Sequence, residues 1–195
     1  MAYAGVVYSR QIKGTERFFG VSGLLYRSNV LMYDRGSESL WSQIKGEAVT
    51  GPLTGTELEV LPSTLTTWKK WRMQHPDTQV LSLETGFSRN YATDPYLDYY
   101  AQQSGFRSFF KLGPGEKEKE LVVGIVIDGK AKAYPLKEIK KAIQIKDKFA
   151  GIDVVLSFDA STDQLSVVDG SGNNIEQITV YWFVWKGIWA DTARY

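Results

Sequence analysis

The chain has a single histidine, His75, and no cysteine. One imidazole excludes a multi-histidine metal site, and the lack of thiols excludes disulfides, thiolate ligation and cysteine nucleophiles. One hydrolytic arrangement stays open, with His75 as base to the hydroxyl of Ser22 or Ser42. Ser22 stands in "GVSGL", which departs from a nucleophile elbow because Leu24 occupies the place of the second glycine, and no helix is expected after it. That stretch reads as a strand. The competing reading of His75 is a flat ring packed at a helix end, where the C-terminal dipole also favours an imidazole.

A second constellation is polar and aromatic. Arg35, Trp41, Ser42 and Gln43 lie in "YDRGSESLWSQ", and Arg89 and Tyr91 in "TGFSRNYATDPY". A guanidinium, hydroxyl, amide and large rings on loops are what ligand pockets combine, an apolar wall with a few convergent polar groups. These six residues are the candidate ligand-binding set for an unknown ligand or protein. The same residue types also lock turns, Arg to carbonyl and Ser to backbone, and both readings stand at this point. "DASTD", Asp159 to Asp163, alternates oxygens but lacks the glycine and terminal glutamate of an EF-hand loop, so it reads as a turn. No catalytic residue, metal ligand or cofactor is assigned.

The elements that must position these groups follow from composition and periodicity. The 195 residues suffice for a substantial core, and 23 Lys plus Arg against 22 Asp plus Glu leave no whole-chain field for nucleic acid or an anionic membrane. The lysines at 137, 140, 141, 146 and 148 lack interleaved aromatic stacking partners and read as a solvated face. No apolar run approaches the length of a membrane span, and "MAYAGVVYSR" has neither the charged n-region nor the apolar h-region of an export signal.

From Gly5 to Leu61 short runs rich in aromatic and β-branched residues alternate with Gly, Pro, Asn and Asp, the pattern of hairpins. A helix capped by Ser63 is expected to stop at His75 before Pro76, with Trp68, Trp71 and His75 on one face. A second helix is expected over Pro95 to Gln103. "GPGEKEKE", residues 113–120, reads as a solvated connector. Beyond it a hairpin turning at Asp128-Gly129 leads to a Lys-rich helix, Leu136 to Ala142, and further strands.

The text "TTWKKWRMQHPDT" returns as "VYWFVWKGIWADT", with Trp, Trp, Asp and Thr in the same spacing. The repeat predicts a helix over the second Trp cluster, although periodicity alone reads "QITVYWFVW" as a strand. The expected fold is α+β and predominantly antiparallel, two strand-rich repeat units each closed by a short helix whose aromatic face seals a core. Residues 1–112 form the first unit, 113–120 the connector and 121–195 the second. The second unit has Leu121 to Thr162 without a counterpart in the first, whose opening strand matches roughly Gln164 onward. An edge left open at Gly5 to Arg10 is expected to recruit a second copy into a homodimer.

"FGVSGLLYRSNVLMYD", "SLWSQIKGEAVTGPLTGTELEVLPSTLTTW", "HPDT", "TGFSRNYATDPY" and "GKAKAYPL" together resemble the prokaryotic domain-of-unknown-function family three-one-seven-nine, over most of the chain. The resemblance implies two copies of the unit inferred above and an extracytoplasmic protein, exported or lipid-anchored. It also implies an opening Tyr-Pro-Leu segment in the first copy and often a Cys-Pro-x-Cys stretch, and neither is found here. The expected role is a non-enzymatic binding or interaction module, with the Ser22 or Ser42 hydrolase as the alternative.

Overall fold

Tight hairpins dictate most of the architecture. The computed structural model describes residues 2–105 and 116–195. The first half holds β1 (Val7–Tyr8), β2 (Gln11–Ile12), β3 (Thr15–Glu16), β4 (Phe19–Tyr26), β5 (Asn29–Asp34), β6 (Leu40–Ser42), β7 (Glu47–Thr50), β8 (Val60–Leu61), α1 (Trp68–Gln74) and α2 (Leu97–Ala101). The second holds β9 (Leu121–Ile127), β10 (Lys130–Pro135), α3 (Leu136–Ala142), β11 (Gln144–Phe149), β12 (Ile152–Asp159), β13 (Gln164–Asp169), β14 (Gln177–Tyr181), α4 (Trp182–Ile188) and β15 (Ala193–Arg194). The fold is α+β, and among the described strands all pairings are antiparallel except β10 with β15.

Lys13-Gly14, Arg27-Ser28, Asp128-Gly129 and Ala150-Gly151 each close a hairpin through two residues, both at positive φ. This is the type I′ geometry, whose twist matches that of the flanking strands. The Asp128-Gly129 turn stands where the sequence predicts it. "GVSGL" is strand, with a bulge in β4 between Val21 and Leu25.

The second half is layered. Strands order β14-β9-β10-β15 in one sheet and β11-β12-β13 in another. Successive residues of β9 point to opposite faces: Val122 joins the cluster around Trp182, Phe183 and Trp185 of α4, while Val123 and Ile125 pack with Tyr134, Ile145, Val154 and Leu156 toward the other sheet. With both faces covered, β9 reads as the near-continuous apolar run "LVVGIVI". The first half forms the meander β4-β5-β6-β7 around a smaller core of Ile12, Trp41, Ala48 and Leu58. Its Ala2 and Ile44 enter the α4 cluster.

The structure corrects several expectations. The cap of α1 is Thr67 rather than Ser63, its side chain accepting from Lys70 N–H, and the helix ends at Gln74 before a His75 cap. Helix α2 spans Leu97–Ala101 rather than Pro95 to Gln103. "QITVYWFVW" divides: strand to Tyr181, helix from Trp182. No residue of α1 is buried, so its aromatic face seals no core; Trp68 is 52 % and Trp71 37 % exposed, whereas Trp185 is fully buried. The reason is that α4 lies on β9, whereas among the described residues α1 has no such sheet beneath it. Strand β1 is paired with β8, so the Gly5 to Arg10 stretch is not an unpartnered strand. The connector expectation falls partly on residues 113–115, outside the described residues. Its latter part is packed: carbonyls of Glu120 and Glu118 accept from Trp182 and Phe183 N–H at 2.8 and 3.0 Å, supplying partners that the start of α4 lacks internally.

Trp185→Ala is therefore expected to cost about 3–5 kcal/mol, while Trp71→Ala, on an exposed helix, should cost below about 1 kcal/mol. Urea denaturation of the two variants checks this, and equal losses would place both rings in a core.

Candidate functional site

The turn and the strand ends around β5 and β6 bring two side-chain amides, those of Asn29 and Gln43, together. Asn29 follows the Arg27-Ser28 turn as the first residue of β5 and is buried to 4 % exposure. Gln43 follows the last residue of β6. Asn29 Nδ2 donates to Gln43 Oε1 at 3.0 Å, Gln43 Nε2 donates to the Ala4 carbonyl at 3.4 Å, and the Tyr8 hydroxyl donates to the Gln43 carbonyl at 2.7 Å. Burial, and next the charge of Glu176, push the Tyr8 phenol well above its ordinary pKa, so it remains a donor. Asn29 Oδ1 is buried and has no hydrogen-bond partner among the described residues.

This amide pair lies on a cavity of about 530 Å³. The Ala2 to Gly5 segment forms one wall, Leu25, Val30 and Leu65 supply apolar surface, Tyr3 and Tyr100 supply rings, and Ser28, Asn29 and Gln43 supply polar groups. Among the described residues, no side chain in this lining carries a charge at neutral pH. The wall is held in place: the Ala2 carbonyl accepts from Tyr181 N–H at 3.0 Å, and the Tyr3 ring lies 5.5 Å from Tyr181 and 6.4 Å, edge-on, from Tyr100.

Of the residues singled out by sequence, Gln43 lines this cavity and the others do not. The Arg35 guanidinium lies over the Tyr33 ring, 5.4 Å from its centroid, and is exposed. Trp41 is fully buried, edge-on to Phe19 at 5.7 Å in the small core. Ser42 Oγ accepts from Lys45 N–H at 3.2 Å, a turn-locking bond. Arg89 is exposed, and the exposed Tyr91 shares a hydrogen bond with Thr85 at 2.6 Å. Sequence reasoning missed Asn29, Ser28, Tyr3, Leu65 and Tyr100. The available signal was Asn29 itself, a strong polar group placed where a strand begins and burial is expected; the others meet only through long-range folding.

The hydrolytic arrangement is not assembled. Ser22 Oγ donates to the Leu31 carbonyl at 2.6 Å and accepts from Leu24 N–H, holding the bulge of β4. The His75 ring is stacked 4.0 Å from that of Trp71, and no hydrogen bond joins it to either serine. "DASTD" is a turn: the Asp159 carboxylate accepts from the Ser161 hydroxyl and from the N–H groups of Ser161 and Thr162, and its pKa is lowered to about 2, chiefly by the Ser161 hydroxyl. Among the described residues no group of three or more His, Asp or Glu is placed to hold a metal ion, and no helix is long and apolar enough to cross a membrane.

The segment bearing Arg35 is organised by Asp34. Its buried carboxylate accepts from Gly36 N–H at 2.7 Å, from the Ser37 hydroxyl and N–H, and pairs with Arg17 at 3.4 Å. Burial alone would raise its pKa, but the Ser37 hydroxyl, the two N–H groups and Arg17 outweigh it and hold the carboxyl below the usual range. A depressed folded-state pKa contributes stability at pH values above the unfolded-state value of about 3.9 and loses it as pH falls through the folded-state value. Asp34→Asn should therefore be less stable than the parent at pH 7. The gap should shrink as pH is lowered below about 4, where protonation abolishes the same advantage in the parent; denaturation at stepped pH values measures it, and a gap constant with pH would remove Asp34 from the account.

No curated protein and no solved structure matches the chain. A family model matches residues 1–192, and the chain belongs to the family described as "Protein of unknown function (DUF3179)".

Proposed function

We propose that the chain is a non-enzymatic binding module of an extracytoplasmic protein, and that its ligand occupies the cavity between the Asn29–Gln43 amide pair and the Ala2 to Gly5 segment. The observation that carries this reading is the buried Asn29 Oδ1, unpartnered among the described residues, in a described lining without charged side chains. A buried acceptor left unmade costs on the order of 1–3 kcal/mol, and a rotation of the Asn29 amide that brought the oxygen to a ligand donor in the cavity would recover that cost. The ligand class is accordingly neutral, with amide or hydroxyl donors on one edge and an apolar face for Tyr3, Leu25 and Tyr100. The commitment of the Ser22 and Ser42 hydroxyls to backbone groups favours binding over hydrolysis. The same reading keeps two related units, residues 1–112 and 121–195 around the connector 113–120, with the ligand site in the first.

The test is saturation-transfer NMR on the full chain with blocked dipeptides and uncharged glycosides as probes. At least one probe class should bind, and Gln43→Ala should weaken it about tenfold, equal to about 1.4 kcal/mol, in a variant that circular dichroism shows to be folded although it is less stable by about 1–3 kcal/mol, because Asn29 Nδ2 loses its acceptor. Arg89→Ala should leave binding intact. Binding lost in Arg89→Ala but retained in Gln43→Ala would move the site to the Arg89 and Tyr91 loop, and a hydrolytic activity abolished by His75→Ala would replace the module with an enzyme.

A further inference from the structure

A second cavity, of about 540 Å³, shares no described lining residue with the amide cavity. The first half contributes Tyr8, the turn from β6 into β7, and Leu58 and Val60. The second contributes β9 with its turn, the residues at the start of β14, and Trp185 and Trp189. Its apolar surface is built around indole. The Trp189 ring is partly exposed and lies 3.9 Å from that of Trp185, and Ile44, Val126 and Ile178 add aliphatic wall.

The charged part of the lining is anionic. Glu47, Glu57 and Glu176 stand against a single cation, Lys45, among the described residues. Lys45 pairs with Glu47, while Glu57 and Glu176 form no ion pair among the described residues. Glu47 and Glu57 also face each other in an antiparallel bridge, a placement in which like charges repel. The charge of Glu176 is felt in the same wall: after burial, it is the cause that raises the pKa of the Tyr8 phenol. The chain as a whole carries a net charge of +1, so this excess of carboxylates is local. Gln177 adds an acceptor. Its Oε1 is buried and has no hydrogen-bond partner among the described residues.

We infer that this cavity is a second ligand site, for an organic cation: a primary ammonium or guanidinium on an apolar stem, with the stem against Trp189 and the charge between Glu57 and Glu176. A chelated metal ion does not fit, because among the described residues no three acidic groups are placed to hold one. An organic cation meets each feature separately. Its charge offsets the opposed carboxylates, its stem covers indole that also attracts a cation electrostatically, and a rotation of the Gln177 amide brings an acceptor to its N–H groups. The volume lies in the range of small-molecule sites. A free amine and the side chain of a lysine or arginine in a peptide share this chemistry.

The test uses blocked lysine, cadaverine and blocked norleucine as probes on the isotope-labelled full chain, with the indole N–H signals followed by NMR. At least one of the two ammonium probes should shift the Trp189 signal saturably and leave that of Trp68 in place. Whichever binds names the source, cadaverine a free amine and blocked lysine a peptide side chain. Blocked norleucine, which keeps the stem without the ammonium, should bind about tenfold more weakly. Glu57→Gln and Glu176→Gln should each weaken binding about threefold, and the double variant about tenfold. Lys45→Gln, which releases Glu47 and removes a like charge from the lining, should tighten it about threefold. All three side chains are exposed, so circular dichroism should not change. No saturable shift with either ammonium probe, affinity for norleucine equal to that for the ammonium probes, or binding undiminished in the double variant overturns the inference. Binding lost in Gln43→Ala but kept in the double variant also overturns it, since the cation would then occupy the amide cavity.

Discussion

The contact between the Trp185 indole and the bare backbone of Gly124 is the constraint around which the second half is arranged. Only a residue without Cβ lets so large a ring approach a central strand so closely, and a ring in that place covers one face of β9 while Val123 and Ile125 fill the other. The ring is also tied by its N–H to Thr192, just before β15, so the strand that closes the sheet is positioned by the side chain that covers it. Packing and topology are fixed by one residue pair.

Electrostatics secures the same region from its ends. The Glu120 carboxylate receives Arg194 from β15 and Lys137 from α3, and the opposition of those charges to its burial holds its pKa below the ordinary range. The preceding carbonyls cap α4. Residues 118–120 therefore join helix, strand and sheet at one point, although their sequence is that of a solvent-exposed charge run. On the opposite face Asp147 receives Lys132 and the Tyr134 hydroxyl, linking the two sheets through a pair of strand residues that face the same way.

What was legible in the sequence was local. Asp128-Gly129 announces its turn because both residues tolerate positive φ, and the Lys-rich α3 appears where its pattern places it. Ala150-Gly151 adopts the same turn without a comparable announcement, since alanine favours it only when flanking strands demand it. The spacing of Trp68, Trp71 and His75 correctly predicts one helical face but not its burial, because burial depends on what lies opposite and no local pattern encodes a missing neighbour. The amide cavity was harder still. Gln43 could be named from its residue type, but Asn29, Ala4 and Tyr8 reach it from separate strands and segments through bonds that only the folded chain brings within range.

The paired strands leave no slack, and this sets where the chain tolerates change in length. Because side chains alternate along a strand, one residue inserted into β10 after Lys130 would exchange the faces of the residues that follow, carrying Lys132 and Tyr134 toward the indole side and Ala131 and Ala133 toward Asp147. The same arithmetic holds in the strands that leave Lys13-Gly14, Arg27-Ser28 and Ala150-Gly151. Residues 79–95 contain no named strand or helix and no buried side chain, so there is no pleat for an extra residue to invert. Variation in length, and any graft of a foreign peptide, belongs in that stretch or at an exposed turn tip, where a longer loop leaves the register unchanged, and the paired strands are the positions least able to accept one.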